Sequence, residues 1–412
     1  MNTPVKPRHA PMKQFPIVDG ELQIGGKPVS QLAEELGQTP FYAYDHSVID
    51  AQIDKLRAAL PASIQLHYAI KANPMPALVR HMAQRLDGLD VASGGELAVA
   101  LATGVSPHEI SFAGPAKREP ELEAAVRAGV LLNVESFREV ELLAKLSQRL
   151  GLPARMAVRV NPDFELKSSG MKMGGGPKPF GVDAEEVPRL LARIGELGLA
   201  FEGFHLFAGS QNLRAEAIIE AQQLSYALAL RLAEHAPEPV RTLNLGGGFG
   251  IPYFPGDTPL DLSPIAANLA QLVERASGEL PQTELVIELG RYLVGEAGVY
   301  VCRVIDRKFS RGQTFLVCDG GLHHHLAASG NFGQLIRKNY PVIIGNKAEP
   351  AETEVASVVG PLCTPLDILA DRMELAVAEP GDLVVVYQSG AYGFTASPRG
   401  FLGHPQAVEI LL

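Results

Sequence analysis

The sequence predicts an α/β chain, a (β/α)8 TIM barrel followed by a C-terminal all-β domain. Eight short apolar, β-rich segments end near Ile70, Val91, Phe112, Val134, Val160, Phe207, Leu245 and Ile287, and stretches with helical spacing lie between them. Together they fill roughly 230 residues, the size of one barrel. Past Arg291 the long helices stop and strands separated by turn residues follow. A doubly wound open sheet is the competing arrangement, and the count of eight favours the barrel.

In order along the chain, residues 1–40 are Pro-rich, then give a short alternating piece at Leu22–Ile24 and a turn at Gly25-Gly26. Phe41–Tyr44 reads as a strand, and Asp45 as the N-cap of a helix from Val48 to Leu60. Gln65 to Ile70 reads as a buried strand, and Pro74 and Pro76 suit the first turn of the next helix, so Lys71 stands where strand gives way to loop. The barrel helices are expected over 76–86, 94–103, 118–128, 136–150, 184–197, 214–235 and 263–278. Between them the long loop Asp163–Phe180, with Gly174-Gly175-Gly176, is a candidate mobile lid, with plain disorder the alternative. Later strands are expected at 298–306, 314–317, 342–344, 354–359, 383–387 and 408–411.

Composition excludes several classes. With 412 residues, 46% apolar content and a net charge of −10, the chain has no basic footprint for nucleic acid. No apolar run is long enough for a membrane span and the first residues lack the apolar core of a signal peptide, so a cytoplasmic protein is expected. Cys302, Cys318 and Cys363 are odd in number and widely spaced, which fits neither a disulfide framework nor a zinc ligand pair.

Barrel chemistry collects at the C-terminal strand ends. Lys71, Asp90, Glu96, Asn133, Glu135, Arg159, Asn161, His205, Phe207, Ser210 and Glu288 all fall there. A partly desolvated lysine can form a Schiff base with a carbonyl, and a solvated strand-end lysine is the plain alternative. Gly246, Gly247 and Gly248 directly after a strand let backbone N–H groups approach an anion, with Ser210 and Arg291 able to complete a phosphate cup. Glu288 needs a cation if it points inward: a pyridinium nitrogen, or Arg159 or another barrel arginine.

These residues sit in a series of ordered motifs: Phe-Tyr-Ala-Tyr44, Tyr-Ala-Ile-Lys-Ala-Asn73, Asp-Val-Ala-Ser-Gly-Gly-Glu96, Arg-Val-Asn-Pro162, Asn-Leu-Gly-Gly-Gly-Phe-Gly250, Glu-Leu-Gly-Arg291, Gly-Pro-Leu-Cys363 and Ser-Gly-Ala-Tyr392. Over almost its whole length the chain resembles the fold-type III pyridoxal-phosphate decarboxylases, the group of the diaminopimelate and ornithine decarboxylases. The resemblance implies a barrel over 45–292, a β-domain formed by 1–44 and 293–412, and a homodimer with shared active sites. It implies that Lys71 carries pyridoxal 5'-phosphate covalently and that Glu288 pairs with the ring nitrogen. Ser210, Gly246, Gly247, Gly248, Gly290, Arg291 and Tyr392 would bind the phosphate end. Asp90, Glu96 and Arg159 would shape the pocket, and Cys363 would return a proton to Cα from the other subunit.

Departures from the family pattern concern the substrate. Thr364 stands where an acidic residue recognises a distal ammonium, and Phe207 stands where a histidine stacks on the ring, with His205 two residues earlier on the same strand face. Asp319-Gly-Gly-Leu-His-His-His325 replaces the usual sequence. Alternate strand residues face opposite ways, so at most two of the three, such as His323 and His325, could converge; contact with a substrate carboxylate or carrier is one reading, a structural or surface role is the other, and no metal site is expected. That motif, Gly-Pro-Leu-Cys-Thr-Pro365 and Phe-Leu-Gly-His-Pro405 are similar to a smaller subgroup: the glutamyl-acyl-carrier-protein decarboxylase of butirosin biosynthesis and the exosortase A-associated decarboxylases. The reading is α-decarboxylation of a small-molecule amino acid, with an acyl- or carrier-linked distal end and an acyl carrier protein as partner. Meso-diaminopimelate decarboxylation to L-lysine, amino-acid racemisation and a non-catalytic cofactor-binding regulator are the alternatives. Racemases of this type favour arginine at the ring nitrogen, and Glu288 speaks against them.

Overall fold

The computed structural model describes residues 7–166, 171, 172 and 174–412, so residues 167–170 and 173 of the candidate lid lie outside the described residues. The chain forms two compact units. One comprises Ile53–Gly250 and Leu260–Gly290; the other comprises Met1–Gln52, Ile251–Pro259 and Arg291–Leu412.

The first unit is a closed barrel of eight parallel strands, and all eight expected segments form them. Gln65–Ala69, Gly88–Val91, Ile110–Phe112, Leu131–Val134, Arg155–Asn161, Ala200–Leu206, Thr242–Gly247 and Glu284–Leu289 pair in that order. Glu284–Leu289 then pairs with Gln65–Ala69, setting Glu288 opposite His67, while on the other edge of the strand Glu288 stands opposite Gly247. The strands are almost entirely buried, as expected where helices cover a parallel sheet.

The helices start and stop on local chemistry. Ser93 and Ser136 cap their helices by accepting the N–H groups of Glu96 and Glu139, one turn in. Gly129 and Gly151 close the helices Glu119–Ala128 and Phe137–Leu150 in the left-handed conformation. Val187, Leu190, Leu191 and Ile194 form the buried stripe of Val187–Glu196, at the spacing that puts four side chains on one helix face.

In the second unit the long strand Gly298–Ser310 is central, pairing with Gln313–Cys318, Leu383–Val386 and Phe41–Tyr44. Val408–Leu411 runs parallel to Phe41–Tyr44 on its other edge. Leu22, Ile24, Val29, Leu32, Phe41, Ala43, Val299, Val301, Leu383 and Val385 fill the core beneath these strands.

Among the elements of this unit that have no counterpart in the sequence reading, a helix and a strand stand out. Val29–Leu36 is a helix that lacks a side-chain cap. Ile368–Ala376 is a strand paired with Thr353–Val359 across two register shifts, with Arg372 at a positive φ of 46°. A bulge of that kind breaks the alternation by which a strand is recognised. Among the described residues no helix is long and apolar enough to cross a membrane.

Candidate active site

Lys71 lies on the single 3-10 turn Ile70–Ala72 that follows the first barrel strand. The turn is held by the Tyr68 hydroxyl, which donates to the carbonyl of Asn73 at 2.9 Å, and by the Asn73 side chain, which accepts the N–H of Met75 at 3.1 Å. Pro76 then opens the next helix. The Lys71 ammonium stands 3.6 Å from Glu288 Oε1 and 5.3 Å from the centre of the Phe207 ring.

Glu288 is buried, and its second oxygen is 3.1 Å from Nε2 of His205, itself buried. Burial alone would raise the Glu288 carboxyl, yet the Lys71 charge, the His205 hydrogen bond and Arg159 outweigh it and hold the group well below the usual carboxylate range. The carboxylate is therefore charged. Arg159 is not its ion-pair partner, as one reading of the sequence had it: Arg159 Nη1 bonds Glu135 Oε1 at 2.9 Å and lies 5.1 Å over the Phe180 ring. Nor was the His205 link to Glu288 foreseen, although spacing put His205 on the Phe207 face.

Glu135 closes a buried polar chain. It accepts the N–H groups of Gly114 at 2.6 Å and Gly181 at 3.0 Å, while its own N–H donates to Glu139, which pairs with Lys117 at 3.0 Å. Lys117 also donates to the carbonyls of Gly114 and Asn133. Across the barrel Asp90 accepts from the Ser111 hydroxyl and lies 3.3 Å from His67 Nδ1, and Asn133 donates to Ser111. Burial opposes a charge on His67, but Asp90 outweighs it and raises the imidazole. Glu96 accepts the N–H of Ala92 at 2.8 Å, so its carboxylate helps seat the helix that Ser93 caps. Ser111 and Lys117 carried no signal in the sequence beyond polarity at strand ends.

The glycine turn after the seventh strand has Gly246 at φ +68° and Gly248 at φ +71°, left-handed positions that favour glycine. A Cβ on Gly247 would run into the Glu288 carbonyl, and one on Gly248 into the Gly209 carbonyl. Asn244 Oδ1 accepts the Gly246 N–H at 2.8 Å and fixes the turn. Ser210 lies half-buried beside it in the short strand Gly209–Ser210, since Gly248 packs on Gly209. On Gly290 a Cβ would meet the Ala72 side chain.

The second unit holds the remaining candidates. Arg291 opens the helix Arg291–Val294 and donates to the Tyr253 hydroxyl at 2.8 Å. Its guanidinium lies 5.2 Å from the Tyr253 ring and 4.6 Å from the Tyr392 ring. Burial disfavours its charge, yet the surrounding tyrosines raise its basicity. Its Nε has no hydrogen-bond partner, and among the described residues no carboxylate pairs with it. A cation left among phenols in this way fits an anion such as a phosphate monoester.

Cys363 is exposed, with Thr364 half-buried beside it. Their turn is stapled by Asp367, which accepts the N–H groups of Leu322 at 2.6 Å and Leu362 at 2.9 Å. His323 is fully buried against His324, with no partner for either nitrogen. His325 is fully buried and has both nitrogens engaged within its own unit.

Residues 46–295 match the family model described as "Pyridoxal-dependent decarboxylase, pyridoxal binding domain". The chain is 40% identical over 380 residues to an L-glutamyl-(BtrI acyl-carrier protein) decarboxylase of Niallia circulans, covering 91% of this chain and 89% of that protein. It is 33% identical over 400 residues to a diaminopimelate decarboxylase of Aquifex aeolicus, covering 96% and 91%. Among solved structures, the diaminopimelate decarboxylase of M. jannaschii in co-complex with L-lysine superposes with a TM-score of 0.89 at 26% identity, over 97% of this chain and 93% of that one. With the family model matched across the barrel and two relatives aligned over nine-tenths of the chain, the protein belongs to the pyridoxal-dependent decarboxylases.

Proposed function

We propose that this enzyme removes the α-carboxylate of an amino acid whose distal end is acylated, a glutamyl thioester on an acyl carrier protein. The single observation carrying the chemistry is the Lys71–Glu288–His205 cluster: an amine beside a carboxylate that stays ionised in a buried setting. Support for the substrate comes from the 40% identity to the carrier-linked glutamate enzyme and from Thr364, which brings no negative charge to meet a distal ammonium.

The residues fit pyridoxal 5'-phosphate. Lys71 would attach it, Glu288 would keep its ring nitrogen protonated, and His205 would orient that carboxylate. Ser210, Gly246, Gly247, Gly248 and Gly290 would bind the phosphate end, and Arg291 and Tyr392 would do so as well. Phe207 would pack on the ring. Asp90, Glu96 and Arg159 would keep the surrounding pocket charged and rigid. When bound, the cofactor supplies a ring able to accept the electrons released as the bond at Cα breaks. Cys363 would deliver the proton that replaces carbon dioxide, in a cytoplasmic homodimer with shared active sites. His323 is assigned to the wall of the substrate region.

A second reading, meso-diaminopimelate decarboxylation, is favoured by the relatives that carry that name. Carbon dioxide release from glutamyl-carrier protein and from meso-diaminopimelate, measured side by side, decides between them: efficient lysine formation overturns the carrier-linked assignment. Borohydride reduction followed by peptide mass analysis should find the cofactor on Lys71. Its absence there, or full activity in Lys71→Ala, overturns the chemistry.

A further inference from the structure

The polar contacts of His325 fix the state of its ring. The backbone N–H of Ala328 donates to Nδ1 at 3.2 Å, so Nδ1 is the acceptor and the ring proton sits on Nε2. Nε2 faces the Ser389 hydroxyl at 2.9 Å, and that hydroxyl hands its own hydrogen to the carbonyl of Val386 at 2.8 Å. Burial pushes the imidazole pKa down to about 3, so the ring stays neutral.

Both ends of this chain lead toward the Arg291–Tyr392 pair. Ser389 begins the Ser389–Tyr392 turn, anchored by its N–H on the carbonyl of Gly298 at 2.9 Å. The turn ends with Tyr392 at φ +54°, a left-handed position uncommon for a tyrosine. On its other side the His325 ring meets Tyr340 edge-on at 5.7 Å. Tyr340 packs 4.6 Å from Tyr253, and Tyr253 accepts from Arg291.

We propose that His325 is a positioning residue for phosphate anchorage: through Ser389 it fixes the turn carrying Tyr392, and through Tyr340 and Tyr253 it fixes Arg291, so it sets affinity for the phosphate monoester end of the cofactor. The proposal rests on the assignment of Arg291 and Tyr392 to that phosphate. It gives the third histidine of Asp319–His325 a task that touches neither substrate nor carrier.

The test compares pyridoxal phosphate with pyridoxal, which lacks the phosphate, by titrating cofactor-free full-length protein. His325→Phe should weaken pyridoxal phosphate about tenfold, the worth of one strong contact, while leaving pyridoxal within about twofold. Ser389→Ala should give the same loss, and the double variant should lose no more than either single one, because both break one chain. The 31P resonance of bound cofactor should move in each. His325→Gln, whose amide can reach the Nε2 position, should restore part of the affinity and keeps the test open if the phenylalanine variant does not fold. Equal weakening of both ligands, or a raised substrate KM with cofactor affinity unchanged, overturns the proposal. Arg291→Met separates the two levels: if it leaves the ratio of affinities unchanged, the phosphate assignment has failed; if it changes the ratio and His325 variants do not, only the positioning role has failed.

Discussion

Replacing Glu135 by glutamine should destabilise the barrel strongly. Glu135 meets the Arg159 guanidinium at 2.9 Å and two backbone N–H groups at 2.6 and 3.0 Å, with its side chain 1% exposed. Glutamine keeps the shape but removes the charge, leaving Arg159 buried beside no full counter-charge of its own. Breaking one side of a buried ion pair costs about 3–5 kcal/mol. One of the two N–H groups also faces an amide that donates rather than accepts, a cost of about 1–3 kcal/mol that overlaps the first. Taking the larger figure alone, and about 2–4 °C per kcal/mol for a domain of this size, the unfolding midpoint should fall by about 6–20 °C. Thermal unfolding followed by circular dichroism at neutral pH measures it. Adding Arg159→Met should recover a good part of the loss, since the stranded cation is then gone. If the double variant is as unstable as the two single losses added, the ion pair is not the origin of the effect and the reasoning fails.

Glu288 gives a pH signature. Its folded carboxyl lies below its unfolded value of about 4.3, so its stabilisation is complete above that pH and is lost as the pH falls through the folded value. Urea unfolding of cofactor-free wild type and Glu288→Gln between neutral and acid pH should show the stability gap closing toward acid; a gap constant with pH refutes the assignment. Gly248→Ala should lower affinity for pyridoxal phosphate sharply, because its left-handed backbone costs about 1–2 kcal/mol for any other residue and the new methyl meets the Gly209 carbonyl. Cofactor affinity equal to wild type would show that the turn can yield.

Much of this fold is written in local patterns. Each barrel strand is an apolar run bounded by turn residues, and Ser93 and Ser136 mark helix starts through side chains that do the capping. Rim residues were legible because a parallel barrel sends strand ends to one face, so polarity at those positions stands out. Their pairings were not. Whether Glu288 meets Arg159 or His205 depends on which way each side chain turns inside a closed sheet, and sequence spacing is silent on that. Arg291's phenol surroundings come from Tyr253, Tyr340 and Tyr392, which are far apart in the chain. The missed strand Ile368–Ala376 was hidden by its own bulge at Arg372. For the histidine run, alternation along a strand was the wrong premise: Gly321–His325 forms a turn in which the N–H groups of His324 and His325 both reach back to the Gly321 carbonyl.

The pairing of Val408–Leu411 with Phe41–Tyr44 has a consequence for synthesis. The barrel segments all leave the ribosome by residue 290, so the barrel can close while translation continues, whereas Phe41–Tyr44 must wait through some 360 further residues for its parallel neighbour. Until Gly298–Ser310 is made neither edge of this apolar strand is paired, and from then until Val408–Leu411 one edge still lacks its final companion, an invitation to mispairing. Slower synthesis of the residues between these two strands lengthens that interval and should raise the aggregated fraction.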